Sequence, residues 1–197
     1  EYAWSRQQLK GDSAIRYLDG FRAYTEILAD HGYVCGLAGK WHLGDAGHPQ
    51  KGFTYWEPIA MGGDNYYYPV VMRNGQFDML LNTYITDYIT EKALDFLKGK
   101  DKDRPFYLSV HYTAPHTPWE RSQHPAEFYN LYQDCPFTET PNVPPHKWGH
   151  GYSQEERRNR LQGYYAAVSA MDSDIGKIVD YLKAEGTWED TIFIFTA

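Results

Sequence analysis

Two short stretches hold side chains whose types and spacing suit chemistry on an anion. The first is GKWHLG, Gly39 to Gly44, where Lys40 and His42 stand one residue apart between glycines. In an extended segment alternate side chains point to opposite faces, so Lys40 and His42 share one face and Trp41 turns to the other. That places a cation beside a titratable imidazole, with an aromatic anchor behind them. The second stretch is APHTPW, where Pro115 and Pro118 bracket His116. Proline fixes its own φ and biases the preceding residue away from helix, so this loop reads as a stiff holder for one imidazole. Taken alone, a histidine between prolines is an ordinary loop residue, and Lys40 with His42 a polar loop. Their common position in the chain's architecture favours a site.

That position follows from the order of elements. Phe21, Tyr24, Ile27 and Leu28 predict a helix over 19–30 with an apolar face and Gly32 as its stop. Residues 33–38 read as a short buried strand, with GKWHLG at its C-terminal end. Residues 45–76 read as irregular loops with a short strand at 70–73. A second amphipathic helix is expected over 86–98, and a strand over 106–111 leads into the His116 loop. The stretch from Tyr112 to Tyr152 carries seven prolines and little periodicity; a loop of that length in a compact fold is usually functional. Ser153 and Glu156 form a capping box opening a long helix through Leu161, Tyr165, Val168, Ile175, Ile178 and Leu182. Residues 191–196 complete the pattern as a third strand. Alternation of helices and strands predicts an α/β fold with a largely parallel sheet. Ligands in such sheets sit beyond the carboxyl ends of strands, where both histidine motifs fall.

Other readings stay open on the residues alone. Gly62-Gly63-Asp64-Asn65 with Tyr66, Tyr67 and Tyr68 suits a substrate wall, or else a packed aromatic loop. Arg73 and Trp119 divide in the same way between substrate contact and packing. His42, His48, His111 and His116 admit a zinc cluster, although no spacing is tight and no cysteine joins them. Asp172, near the apolar face of the long helix, reads as a structural hydrogen-bonder beside Asp174.

Bulk composition narrows the classes. The 197 residues suffice for one domain core or a large piece of one, and a net charge of -7 with interspersed signs disfavours nucleic acid as a partner. No run approaches the roughly 18 apolar residues of a membrane span. Two cysteines make no disulfide framework, and Cys35 sits in an apolar stretch that suggests a buried thiol. Eighteen tyrosines and eleven prolines fit long ordered loops that face a ligand. The chain opens EYAWSRQQLK without an initiator Met, so a missing leader says nothing.

GYVCGLAGKWHLG closely resembles the second signature segment of the sulfatases, within the alkaline-phosphatase-like superfamily. PFYLSVHYTAPHTPW is similar to the later sulfatase segment holding a catalytic-site histidine. The run from Gly163 to Ala197 resembles the family's long helix and following strand. This resemblance implies an alkaline-phosphatase-like sandwich, a largely parallel mixed sheet flanked by helices, of which residues 1–197 form the central part. It implies that Lys40 offsets charge on a sulfate oxygen and that His116 donates to the bridging oxygen or the sulfate. His42 matches the base of the second step, and Asp64, Asn65 and Tyr67 are candidate substrate contacts. The family's nucleophile is a formylglycine made in a Cys- or Ser-X-Pro-Ser-Arg stretch, and its calcium is held by aspartates and an Asp-Asn pair. No such stretch occurs here, so formylglycine and metal ligands are expected outside this segment, with no metal ligand within it. The implied partner is a sulfate ester, with the tyrosine-rich loops leaning toward a sulfated sugar, and the implied location secreted, periplasmic or lysosomal. A phosphodiesterase or phosphonate hydrolase of the same superfamily is the alternative enzyme, and a non-catalytic binding protein or pseudoenzyme the alternative of another class.

Overall fold

Val34–Lys40 (β1) is a nearly unbroken non-polar run, VCGLAGK, buried along its length. Such a strand needs cover on both faces and a neighbour on each edge. In the computed structural model, which describes residues 15–60, 63, 65–73, 75–141, 143–144 and 151–196, β1 has both. Tyr55–Ile59 (β2) runs parallel to it on one side, from Gly36↔Tyr55 to Lys40↔Ile59. Phe106–His111 (β5) runs parallel on the other, from Val34↔Phe106 to Gly39↔His111. Val70–Arg73 (β3) and Gln76–Met79 (β4) continue the sheet antiparallel, giving the order β4-β3-β2-β1-β5. The sheet is therefore mixed, parallel around β1 and antiparallel beyond β2.

Helices cover both faces. Tyr24–Asp30 (α1) packs on one face, where Leu28 and Ala29 meet a cluster built on Leu37, Trp41, Phe53 and Trp56. Ile85–Gly99 (α2) lies on the other with Ile89, Ala93, Phe96 and Leu97 inward. Gln154–Ala184 (α4) packs along α2 through Ala167, Ala170, Ile178 and Leu182. Its start is set by the expected box: Ser153 Oγ accepts the Glu156 N–H at 3.2 Å, and Glu156 accepts the Ser153 N–H at 2.8 Å. The short helix Ala126–Asn130 (α3) is tied to α4 by Gln162, whose amide donates to the Tyr129 carbonyl at 2.7 Å.

Several expectations are corrected. Of the helical face read over 19–30, Phe21 is 70% exposed and Tyr24 and Ile27 also face outward, while Thr25 is buried. Phe21 precedes the first helical turn, so its spacing to Tyr24 carries no helical phase. Residues 55–59, read as loop, form β2. Pro58, which has no N–H for a ladder, sits where β3 has not yet joined: β3 meets β2 only at Ile59↔Val71. Residues 191–196 form no strand, and Ile192, Phe193, Ile194 and Phe195 are exposed. Alternating apolar residues favour an extended chain, but a strand exists only with a ladder partner, and none occurs among the described residues. Asp174, not Asp172, is the buried carboxylate of α4. It accepts from the Thr90 hydroxyl at 3.0 Å and pairs with Lys177, while Tyr112 donates to Thr90 at 2.7 Å. Burial drives the Asp174 carboxyl above its ordinary pKa against the opposing pull of Lys177 and Thr90.

Candidate active site

Because β1, β2 and β5 are parallel neighbours, the loops after all three leave the sheet at one edge. Lys40 is the last residue of β1, His42 follows it, and His116 stands five residues after β5. Two contacts knit β1 to β5 at this edge. His111 Nδ1 donates to the Lys40 carbonyl at 2.9 Å. Gly39 has φ +108, and a Cβ there would lie 2.1 Å from the His111 carbonyl oxygen, so only glycine fits beneath Lys40.

Trp41 takes the opposite side, as alternation predicts. It is buried, edge-on to Trp56 at 5.1 Å and to Phe53 at 6.1 Å. His42 is exposed at the surface. The chain beyond it is pinned by buried Asp45, which accepts from Arg16 Nε at 3.1 Å, from the Gly47 N–H at 2.8 Å and from His48 Nδ1 at 2.9 Å. His48 Nδ1 is engaged with Asp45 and His111 Nδ1 with the Lys40 carbonyl; the four-histidine reading fails because, among the described residues, no three of His, Cys, Asp or Glu are grouped to hold a metal. Lys40 is half-buried, and its ammonium has no hydrogen-bond or ion-pair partner among the described residues. Burial alone pushes its pKa below the ordinary lysine value. A desolvated, unpaired cation at a strand end is poised to take an anion.

The His116 loop is braced from several directions. The His116 N–H donates to the Thr113 carbonyl at 2.9 Å, and the Trp119 indole N–H donates to the Pro115 carbonyl at 2.8 Å. Both prolines follow cis peptide bonds. His116 Nδ1 donates to the Thr117 carbonyl at 2.7 Å. A carbonyl only accepts, so the hydrogen is on Nδ1 and Nε2 is the nitrogen left for a ligand. Nε2 offers a lone pair when the ring is neutral and an N–H when it is a cation. Gly63, from the loop after β2, lies against this ring: a Cβ on it would stand 2.7 Å from His116 Cε1. Trp119, read as a substrate contact or packing, acts as a loop brace, its ring 6.1 Å from Tyr164 of α4. Arg73 pairs with Asp78 at 2.9 Å and lies over the Tyr88 ring, within the β3–β4 hairpin.

The tyrosine run divides. Tyr66 is fully buried and Tyr67 half-buried against Tyr84 at 5.3 Å, whereas Tyr68 is exposed with its hydroxyl on Asn82. Asn65 Oδ1 accepts the N–H groups of Tyr67 at 2.9 Å and Tyr68 at 3.2 Å, shaping the turn. Asp64 lies outside the described residues. The sequence reading places Gly63 in a candidate substrate wall and His111 in a four-histidine cluster, without the contacts of Gly63 with His116 and of His111 with the Lys40 carbonyl. The Gly-Gly pair was a usable signal of close approach, but nothing local marks His111.

Among the described residues no group of three or more His, Cys, Asp or Glu could hold a metal ion. Calcium takes about six to eight oxygen ligands, and the nitrogen-bearing set of Lys40, His42 and His116 does not fit it. No helix among the described residues is long and apolar enough to cross a membrane.

The family model for Sulfatase matches residues 20–197. The chain belongs to the sulfatase family. It is 25% identical to an N-acetylglucosamine-6-O-sulfatase of Bacteroides thetaiotaomicron, over 94% of this chain and 45% of that protein. It is 29% identical to an ulvan-active sulfatase of Formosa agariphila, over 88% of this chain and 34% of that one. The chain therefore spans less than half the length of these curated relatives. Two solved structures share the fold. One, from work on glycosaminoglycan metabolism by Bacteroides thetaiotaomicron, has a TM-score of 0.69 at 22% identity, covering 86% of this chain and 40% of that one. The other, solved with its substrate D-glucosamine-2-N,6-O-disulfate, has a TM-score of 0.66 at 20% identity, covering 94% and 53%. This sulfatase chain thus shares its fold with those structures over most of its length.

Proposed function

We propose that the protein hydrolyses the sulfate ester of a carbohydrate, and that residues 1–197 are the central part of its catalytic domain. The observation that carries the reading is Lys40, a half-buried cation without a partner among the described residues, at the sheet edge where the braced His116 loop also emerges. Sulfatase membership and the sugar-sulfate relatives support the substrate class.

In this reading Lys40 binds a sulfate oxygen and offsets the charge that builds on the sulfonyl group. His116 presents Nε2 to the bridging oxygen. With Nδ1 given to the Thr117 carbonyl, it acts as donor in its imidazolium form, and the proton passes from Nε2 to the departing alkoxide oxygen as the S–O bond breaks. His42, exposed beside Lys40, takes up a hydroxyl proton in the second step, in which sulfate leaves. Asp64, Asn65 and Tyr67 form the sugar side of the site. Formylglycine and a divalent cation, calcium by family resemblance, are assigned to residues other than these, and the cation would polarise the sulfate.

The test is sulfate release from glucosamine 6-sulfate by the intact gene product, measured beside a phosphodiester and a phosphonate ester. Release from the sulfate ester, lost in Lys40→Met, is the expected result. Preferred turnover of either phosphorus ester would overturn the substrate class, and no turnover of any would favour a binding protein.

A further inference from the structure

Behind the His116 loop lies a buried polar network whose members touch no reacting atom. Tyr66, fully buried in the loop after β2, donates its hydroxyl to the His116 carbonyl at 2.8 Å. Its own N–H donates to Gln123 Oε1 at 2.9 Å, and its ring stacks on Tyr84 at 5.6 Å and meets His124 edge-on at 4.7 Å. His124 is 3% exposed, and its Nε2–H donates to the Pro118 carbonyl at 3.1 Å. Its Nδ1 faces the Tyr84 hydroxyl at 3.4 Å and accepts from it. Two side chains from separate parts of the chain therefore hold the carbonyls of His116 and Pro118. Between those carbonyls stands that of Thr117, which takes the His116 Nδ1–H.

We infer that Tyr66 and His124 are positioning residues for His116: by fixing the backbone at 116 and 118 they aim the Thr117 carbonyl, which sets the tautomer and direction of the imidazole. This rests on the catalytic role proposed for His116. Packing alone does not account for the polar atoms. Phenylalanine would fill the Tyr66 site as well, and a buried hydroxyl is costly unless bonded. The same holds for His124, which burial keeps neutral, with a pKa lowered to about 4, so that one ring nitrogen donates and the other accepts.

The decisive variant is Tyr66→Phe in the intact protein, which deletes one hydroxyl and retains the ring. Expected is a kcat about five- to tenfold lower at unchanged KM, with a larger loss for phenyl sulfate than for 4-nitrophenyl sulfate, whose alcohol needs less help. In a His116→Gln background the same change should cost nothing more, since the effect passes through His116. A separate arm needs no turnover: the 13Cε1–1H resonance of His116, assigned by its loss in His116→Gln, should shift in Tyr66→Phe. His124→Leu should reproduce both signatures. A loss that is equal for both esters and additive in the His116→Gln background, or a His116 resonance that does not move, would overturn the inference. If the wild-type protein turns over no sulfate ester, the proposed function fails, while the resonance still decides whether Tyr66 positions the ring.

Discussion

Acidification from pH 7 to 4.5 should cost the protein roughly 2 to 3 kcal/mol of stability through His124 alone. The imidazole is nearly sealed from water, and burial lowers its pKa from 6.5 to about 4 against the opposing pull of the Pro118 carbonyl. Unfolding returns the ring to water and to a pKa of about 6.5. Between pH 6.5 and 4, then, the unfolded chain binds a proton that the folded chain refuses, and stability falls as pH falls. Complete passage through that window is worth about 3 kcal/mol, and pH 4.5 lies most of the way. Carboxylates titrate in the same range, so the comparison is with His124→Gln, whose amide can donate to the Pro118 carbonyl but cannot take a proton. Urea midpoints at pH 7 and 4.5 report the difference, provided the m-value stays constant. The wild type should lose roughly 2 to 3 kcal/mol more than the variant. Equal losses in both proteins would mean that His124 is protonated in the folded state, and the neutral, bridging imidazole would be refuted.

Lys40→Met should abolish sulfate release yet leave the melting temperature unchanged or higher, because it removes a desolvated cation that has no partner among the described residues; a clear fall in Tm would show that Lys40 has a structural partner. Gly63→Ala should lower kcat at least tenfold with little change in melting, since its Cβ would stand 2.7 Å from His116 Cε1 and push the ring off its line; wild-type kinetics would show that the ring moves aside freely.

The parts of the fold that are legible in the sequence are those set by local chemistry. The strand expected over 106–111 is β5, bounded by Pro105 before it and the proline loop after it. The capping box at Ser153 and Glu156 starts α4 with both of its reciprocal bonds. Trp41 turns away from Lys40 into a buried aromatic cluster, as its place in the alternation requires. What escaped depends on partners distant in the chain. Pro58 argues against a strand until β2 is known to pair with β1 along one edge, with β3 joining the other only at Ile59. The Asn-Gly between Arg73 and Gln76 is a local hairpin signal, and β3 and β4 pair across it. Asp172 and Asp174 differ only in which one meets Thr90 of α2, a contact 84 residues away in sequence. Tyr66 reads as part of an aromatic wall, and only the folded loop reveals its hydroxyl on the His116 carbonyl. For the site, sequence supplied the reactive side chains, whereas the residues that hold them came from tertiary contacts.

The division of labour among Lys40, His42 and His116 is the central claim, and a pre-steady-state burst tests it most directly. An activated aryl sulfate is mixed with the intact gene product and with its His42→Ala and His116→Ala variants, and the released alcohol is followed from the first turnover. General acid–base help is worth roughly a hundred- to ten-thousand-fold, so the two defects should separate cleanly. His42→Ala should release about one alcohol per site and then stall, because only the second step is impaired. His116→Ala should show no burst, because the first S–O cleavage is slowed. Equal, steady slowing in both variants without a burst in either would contradict these roles and leave Lys40 as the dominant electrostatic contributor.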